Sequence, residues 1–317
     1  MHNSIEKKYL TLDPRWSTTR RLAVDKSAAR ANDKRHEAKG ETAGGMRLRG
    51  LLKEHSDDHP LLSIVTVVYN NKKHLRRCIE SVLLQNYDNV EYIIIDGGST
   101  DGSLDILREY DQQLDYWHSA KDNGIYDAMN QGINLARGSL VGIINSDDWY
   151  TEGIFAEIVS EHQKHPQAIL HGNMVLEKDD RKYCTIEAPA NLNKLAKGMI
   201  LNHPTVFLPS RLYREHGVFD TDYKIVADWE LIVRLWRRGA SFQRLSFTIA
   251  HFRLGGISYE YDRRQVEEKH AVRRKHNLYG GFDKHYLLDR IKLLIPSRLL
   301  MKISLLKQKI SSRCRGW

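Results

Sequence analysis

Two short apolar runs, each ending abruptly in acids and small residues, constrain this chain more than any other feature. Tyr92-Ile93-Ile94-Ile95 runs into Asp96-Gly97-Gly98-Ser99-Thr100-Asp101, and Leu140-Val141-Gly142-Ile143-Ile144 runs into Asn145-Ser146-Asp147-Asp148. A continuous apolar run bounded by turn residues is the pattern of a parallel strand covered on both faces. In open α/β sheets, ligands bind beyond the carboxyl ends of such strands. Carboxylates gathered there can hold a ribose and a divalent metal on a diphosphate.

The surrounding sequence continues the alternation. Ser63-Ile64-Val65-Thr66-Val67-Val68 is a β-branched strand ending at Tyr69-Asn70-Asn71, and Leu75, Ile79, Val82 and Leu83 follow at helical spacing, with Asn71 near the helix start. The strand from Glu91 leads through Gly97 and Gly98 into a helix carrying Leu104, Ile106 and Leu107, with Ser99 or Thr100 as its expected N-cap. A short strand near Leu114–Trp117 precedes Asp122-Asn123-Gly124 and a helix from about Ile125 to Ala136. Alternating strand and helix predict an α/β fold with a mostly parallel sheet and right-handed crossovers. Beyond Asp148 the regularity weakens. Strands at Ala168–Gly172 and Val175–Leu176 read as an antiparallel addition, and a helix covers Asp228 to Arg238 with Leu231, Leu235 and Trp236 inward.

Three units follow from this pattern. Residues 1–60 mix charges of both signs with few apolar residues, which predicts a flexible extension, because little apolar surface offsets its ordering entropy. Residues 61–260 carry the ordered α/β domain, and 261–317 a basic helical region. The three cysteines, Cys78, Cys184 and Cys314, are widely spaced, so neither a disulfide framework nor a zinc site is expected. That usage fits a reducing cytoplasm. No apolar run reaches the roughly 18–20 residues of a membrane span, and the N-terminus lacks the apolar core of a secretory signal.

Several residues carry possible chemistry. Adjacent acids at a strand end let one carboxylate coordinate Mg²⁺ or Mn²⁺ while the other faces a ribose, since hard cations accept few protein oxygens when phosphates complete the shell. Asp147-Asp148 has that form, although an acidic turn capping a helix would look the same. The Asp96–Asp101 turn resembles a phosphate cradle but lacks both G-x-G-x-x-G and a P-loop lysine, which disfavours a redox dinucleotide fold. Asp96 is placed to accept hydrogen bonds from a base or ribose, with glycine permitting close approach. Asp228, in Asp228-Trp229-Glu230, is a candidate general base; helix capping is the competing explanation. His203 and His251 could each touch diphosphate or metal, or serve as structural histidines.

With these residues assembled, the chain resembles family 2 glycosyltransferases of the GT-A fold, and is similar to bacterial exopolysaccharide enzymes of the colanic acid type. The resemblance rests on five segments in order: 63–70, 94–103, 122–133, 145–148 and 227–231. It covers about residues 61–260. It implies inverting, single-displacement transfer from a nucleoside diphosphate sugar. Asp148 would ligate the metal, with Asp147 its companion near the ribose and His251 a further possible ligand. Val67, Tyr69, Asn70, Asp96 and Gly97 would line the nucleoside pocket, and Asp122, Gly124 and Asn130 would lie beside the donor. Asp228 would be the base, with His203, Trp229 and Glu230 on the acceptor side. Many relatives carry two acids where this chain has Asp96-Gly97, so UDP-, GDP- and dTDP-sugars all stay open. The Gly255-Gly256-Ile257-Ser258 loop resembles a segment that closes over the donor. A sugar nucleotidyltransferase would need a basic, glycine-rich triphosphate loop, which Tyr69-Asn70-Asn71-Lys72 does not provide. A non-catalytic nucleotide-sugar scaffold would have no need of both Asp148 and Asp228.

The net charge of +9 is concentrated late in the chain, with eight Lys or Arg and no acid from Arg290 to Trp317. Leu299, Leu300, Ile303, Leu306 and Ile310 share one helical face, with Arg298, Lys302, Lys309 and Arg313 largely away from it. Such a helix over 297–313 can lie in an anionic bilayer interface, or pack on the catalytic domain or a second copy. A glycan or lipid-linked acceptor at the cytoplasmic face of the inner membrane fits the first reading. No nucleic-acid-binding module accompanies the charge, so a nucleic-acid partner is not expected.

Overall fold

The computed structural model describes residues 9–25, 42–178, 181–254 and 263–295, together with Leu299, Ile303 and Leu306. Twelve strands are present among them: β1 (Ala23–Val24), β2 (Thr42–Gly44), β3 (Leu51–Leu52), β4 (Leu62–Val68), β5 (Val90–Asp96), β6 (Tyr116–Ser119), β7 (Leu140–Asn145), β8 (Trp149–Tyr150), β9 (Ile169–Lys178), β10 (Arg181–Ile186), β11 (Phe207–Pro209) and β12 (Phe242–Arg253). Ten of these form one sheet in the order β2-β6-β5-β4-β7-β11-β9-β12-β8, with β10 added on β9. The β6-β5-β4-β7 block is parallel, as the buried apolar runs predict. Beyond β7 the sheet turns mixed: β11 and β10 pair antiparallel with their neighbours, while β9 and β12 run parallel.

Helices α1 (Lys72–Leu83), α2 (Ser103–Glu109), α3 (Ile125–Leu135), α4 (Phe155–Lys164), α5 (Ser210–His216), α6 (Ala227–Arg237), α7 (Arg263–Lys275) and α8 (Lys284–Lys292) accompany the sheet. Leu75, Ile79 and Val82 of α1 join one apolar core with Ile64, Tyr92 and Ile94, whereas Met129 and Ile133 of α3 join a second with Val65, Ile93 and Val141. Successive side chains of one strand enter different cores because they point to opposite faces of the sheet. Both faces are therefore covered, and the strands need no polar alternation.

Two expectations are corrected here. Residues 9–25 and 42–60 are not a flexible extension: Leu22 and Met46 are fully buried, β2 adds to the edge of the main sheet at β6, and Arg47 makes a buried ion pair with Glu91. Ser17 and Thr18 hydroxyls donate to the carbonyls of Val82 (2.9 Å) and Gln113 (2.5 Å). Ordering here rests on hydrogen bonds to the domain as much as on apolar burial. Nor does Ser99 or Thr100 cap α2. The helix starts after Gly102, whose φ of +95° suits glycine, and Asp101 Oδ1 accepts from the Ser103 backbone N–H at 2.9 Å. The Gly255–Ser258 loop lies outside the described residues, as does the 297–313 segment apart from Leu299, Ile303 and Leu306.

Candidate active site

The register of the parallel block places the acids at one edge of the sheet. Val68 pairs with Asp96, and Val67 with Asn145, so the loops after β4, β5 and β7 emerge side by side. Side chains then tie these loops together. Asn70 adopts a left-handed φ of +48° and its Oδ1 accepts from Thr100 N–H at 2.8 Å, while Asn70 N–H donates to Ser99 Oγ at 2.8 Å. Asn71 Nδ2 donates to Ser146 Oγ at 2.9 Å, linking the first loop to the acidic pair. Tyr69 stands 67% exposed at the rim, beside buried Val67.

Asp148 is fully buried. Its Oδ1 accepts from the Arg253 backbone N–H at 3.1 Å, but its Oδ2 has no partner among the described residues. Burial, reinforced by the charge of Asp147, raises its pKa well above the usual carboxylate range. An isolated buried carboxylate oxygen is costly, and either a proton or a divalent cation would relieve it. Asp147 is half-buried; burial raises its pKa, opposed by the positive charges of Arg253 and His74. No group of three or more His, Cys, Asp or Glu that could hold a metal ion is present among the described residues. His251 stacks on Trp149 at 5.3 Å and is held through Nδ1 by Glu177 at 2.8 Å, so Nε2 is the ring nitrogen left for coordination.

Asp228 lies in the first turn of α6, where the helix dipole favours an anion. Its Oδ1 accepts from Trp229 N–H at 2.8 Å and lies 3.2 Å from the Tyr126 hydroxyl, which also reaches the Ile225 carbonyl at 2.8 Å. Burial, then the nearby Asp228 charge, keeps the Tyr126 phenol protonated. Asp228 lines a small, mostly apolar cavity of about 10 Å³ together with His203, Met199, Phe219 and Ile143, the last from the strand that leads to the acidic pair. Burial pushes the His203 imidazole down, and the Asp228 carboxylate works in the opposite direction. Tyr126 was not singled out from sequence, although it sits inside the 122–133 segment.

Other residues have different places from those expected. Trp229 is 1% exposed, donates Nε1–H to the Leu195 carbonyl at 2.8 Å and belongs to the core, so its indole does not face an acceptor. Glu230 is fully buried and bonded to Arg234 (3.0 Å), Lys275 (2.9 Å) and His276 (2.9 Å). Burial alone would raise its pKa, but hydrogen bonds from His276 and Lys275 and the charge of Arg234 hold it at about 2. On a helix, residues 228, 231 and 232 share a face, and those are the α6 residues that line the pocket. Asn130 spends both ends of its amide on the Phe219 backbone, at 2.9 and 3.0 Å, and fastens α3 to the 217–219 loop. Asp96 is fully buried and accepts from Ser99 N–H (2.9 Å), Ser99 Oγ (2.5 Å) and Ser119 Oγ (2.6 Å). It shapes the loop from within.

Gly97 and Asp122 belong together. A Cβ on Gly97 would stand 2.6 Å from Asp122 Oδ2. Asp122 thus fills the space next to the position where an acid is absent, held by the Gly124 N–H at 2.9 Å, with Gly124 at φ +116°. Burial raises the Asp122 pKa, against the Gly124 hydrogen bond and with the charges of Asp127 and Asp96.

Comparison with known proteins agrees with this geometry. Residues 63–207 match the family model described as Glycosyl transferase family 2. A PGL/p-HBAD biosynthesis glycosyltransferase of Mycobacterium bovis is 26% identical over 208 residues, covering 63% of this chain and 79% of that protein. An uncharacterized glycosyltransferase of Mycobacterium tuberculosis is 35% identical over 181 residues, covering 55% of this chain and 68% of that protein. Among solved structures, S. aureus TarS 1–349 in complex with UDP-GlcNAc superposes with a TM-score of 0.54 at 16% identity, covering 74% of this chain and 71% of that one. A Pyrobaculum calidifontis mannosyltransferase in complex with GDP-Man and Mn²⁺ gives 0.53 at 16% identity, covering 84% and 79%. These last two speak for the GT-A fold. The parallel block with acids at its carboxyl edge, the matched family model and the curated relatives converge: this chain belongs to glycosyl transferase family 2 and is a glycosyltransferase.

Proposed function

We propose that the enzyme transfers a sugar, with inversion, from a nucleoside diphosphate donor to a hydroxyl of a glycan or lipid-linked acceptor. The observation that supports this reading is Asp228, fixed through one oxygen by Tyr126 and the Trp229 N–H, beside a small cavity also lined by Ile143 of β7, the strand that precedes Asp147 and Asp148. The second oxygen of Asp228 takes the acceptor's proton as the acceptor oxygen bonds to the anomeric carbon. The bond from that carbon to the diphosphate breaks, and the electron pair leaves with the phosphate. Asp148, with Asp147 beside it and His251 Nε2 as a further donor, would hold Mg²⁺ or Mn²⁺. When bound, the cation supplies positive charge to the departing diphosphate. Val67, Tyr69 and Asn70 would border the nucleoside, with Asp122 and Gly124 beside the donor, and His203 would stand on the acceptor side. The 297–313 segment would keep the enzyme at an anionic, cytoplasm-facing membrane surface.

The test is Asp228→Asn. It removes the base while keeping size and the Oδ1 acceptor, so donor affinity by calorimetry should stay within about threefold while transfer falls by 10²–10⁴, the usual worth of a general base. Transfer at near wild-type rate would remove Asp228 from the mechanism.

A further inference from the structure

Helix α8 is built inside out. Its inward side carries charge: Asp289, 7% exposed, accepts from Arg273 Nη2 at 3.3 Å, and the N-cap Asp283 accepts from Arg273 Nε at 2.8 Å. Arg273 itself is fully buried. The outward side is apolar. Leu287, Leu288 and Ile291 are each about half exposed, and Phe282 and Leu294 at the two ends are 72% and 85% exposed. Positions 287, 291 and 294 follow one helical stripe. A surface helix ordinarily turns its apolar stripe to the core and its charges to water. Here the arrangement is reversed, and a contiguous exposed apolar face of this kind marks an interaction surface. Leu299, Ile303 and Leu306, helical and also exposed, extend the apolar character further along the chain.

Charge decides what covers this face. Residues 263–317 contain fifteen Lys or Arg against four Asp or Glu, a surplus of eleven. The whole chain is +9, so the preceding 262 residues are net acidic by two. Of the four acids, Asp283 and Asp289 point inward to Arg273, Glu268 faces the backbone before α6, and Glu267 is bonded to Tyr286 and Arg290. Exposed Lys284, Arg290 and Lys292 frame the apolar stripe. A second copy of the chain would bring an equal positive surplus against this one, which Coulomb repulsion opposes. An anionic lipid surface satisfies both the apolar stripe and the cations around it.

We propose that the outward face of α8 docks onto an anionic bilayer, with Leu287, Leu288, Ile291 and Leu294 entering the interface. This deepens the reading that the enzyme works at a membrane, but its apolar contact is α8 rather than the 297–313 segment, and it does not depend on the role of Asp228. Arg273, which anchors α8, also lies over the Trp229 ring at 6.0 Å. The docking face is therefore tied through α7 to the helix that carries Asp228, which would hold Asp228 in a fixed relation to the lipid surface.

Cosedimentation of the full chain with vesicles tests this. The vesicles are phosphatidylglycerol–phosphatidylcholine mixtures, with pure phosphatidylcholine as control. Leu287→Gln/Leu288→Gln/Ile291→Gln is compared with Leu299→Gln/Ile303→Gln/Leu306→Gln, and melting temperature confirms that each variant is folded. We expect wild-type binding to the anionic vesicles to weaken with salt and with pure phosphatidylcholine, and the α8 variant to bind at least tenfold more weakly. If only the second variant loses binding, docking by α8 is wrong while attachment through 297–313 stands. If wild type binds neither vesicle, both fall. If wild type is a dimer that the α8 substitutions split, with vesicle binding unchanged, the face is an interface between copies and the proposal is overturned.

Discussion

Glu268 should be indispensable although it lies outside the segment matched by the family model. It projects from α7 and accepts from three successive backbone amides, Lys224 (2.9 Å), Ile225 (2.9 Å) and Val226 (3.2 Å), just before Asp228. Glu268→Ala leaves those N–H groups without their charged acceptor. The Lys224 amide is exposed and water replaces the carboxylate there, but Val226 is buried and its amide is stranded. An unsatisfied buried donor costs about 1–3 kcal/mol, and loss of an anion near a helix start about 0.3–1 kcal/mol more. A total near 2–3 kcal/mol is expected. With an unfolding entropy of about 2.1 cal/mol/K per residue, one kcal/mol corresponds to about 1.5 °C in a chain of this size, so Tm should drop by about 3–5 °C. The 224–226 backbone also sets the hydroxyl partner of Tyr126, the Ile225 carbonyl. Transfer should therefore fall by at least tenfold in kcat with little change in donor KM. Glu268→Gln, which keeps one acceptor oxygen, should recover part of both losses. Scanning calorimetry and initial rates decide it: a Glu268→Ala protein with unchanged Tm and a kcat within twofold of wild type would show that Glu268 does not hold the backbone before Asp228.

Two further perturbations follow from the site. Gly97→Ala places a methyl 2.6 Å from Asp122 Oδ2 and must displace that carboxylate; donor affinity measured by calorimetry should fall at least tenfold, and an unchanged affinity would take Asp122 out of the donor pocket. Glu230 has its pKa held at about 2 by His276, Lys275 and Arg234 despite burial. Because that value is depressed, its contribution to stability is present above the ordinary glutamate pKa of about 4.3 and is lost as pH falls toward about 2. Glu230→Gln should lower Tm at pH 7 and flatten the decline between pH 4.5 and 2, whereas a decline parallel to wild type would contradict the pairing.

The legible and illegible parts of the sequence divide along physical lines. The strands at 62–68, 90–96 and 140–145 announce themselves because both faces of the sheet are covered, so apolar residues need no alternation. Helices α1, α3 and α6 are visible in their spacing, and the acids at strand ends follow from the chain's need to leave the sheet there. What the sequence hides is partnership at long range. Asp96 reads as a ligand-facing acid because nothing local reveals that Ser119 closes over it. Asn130 reads as a donor contact until the Phe219 backbone is found at both ends of its amide. Trp229 and Glu230 adjoin Asp228 in sequence, yet each residue along a helix is a rotation of about 100°, which turns them into the core and toward α7. Residues 9–25 and 42–60 lack an apolar pattern, and their order comes from isolated buried residues such as Leu22 and Met46 together with polar groups such as Ser17 and Thr18 reaching carbonyls of the domain.

The proposed metal-assisted nucleotide-sugar site on Asp148 stands or falls on donor binding. Calorimetry with UDP-, GDP-, dTDP- and CMP-sugars, in Mn²⁺ and then in EDTA, should give binding of one nucleotide class that weakens at least tenfold when the metal is removed. In Asp148→Asn the metal response should disappear. Equal donor affinity with Mn²⁺ and EDTA, or an undiminished metal response in Asp148→Asn, would contradict the account.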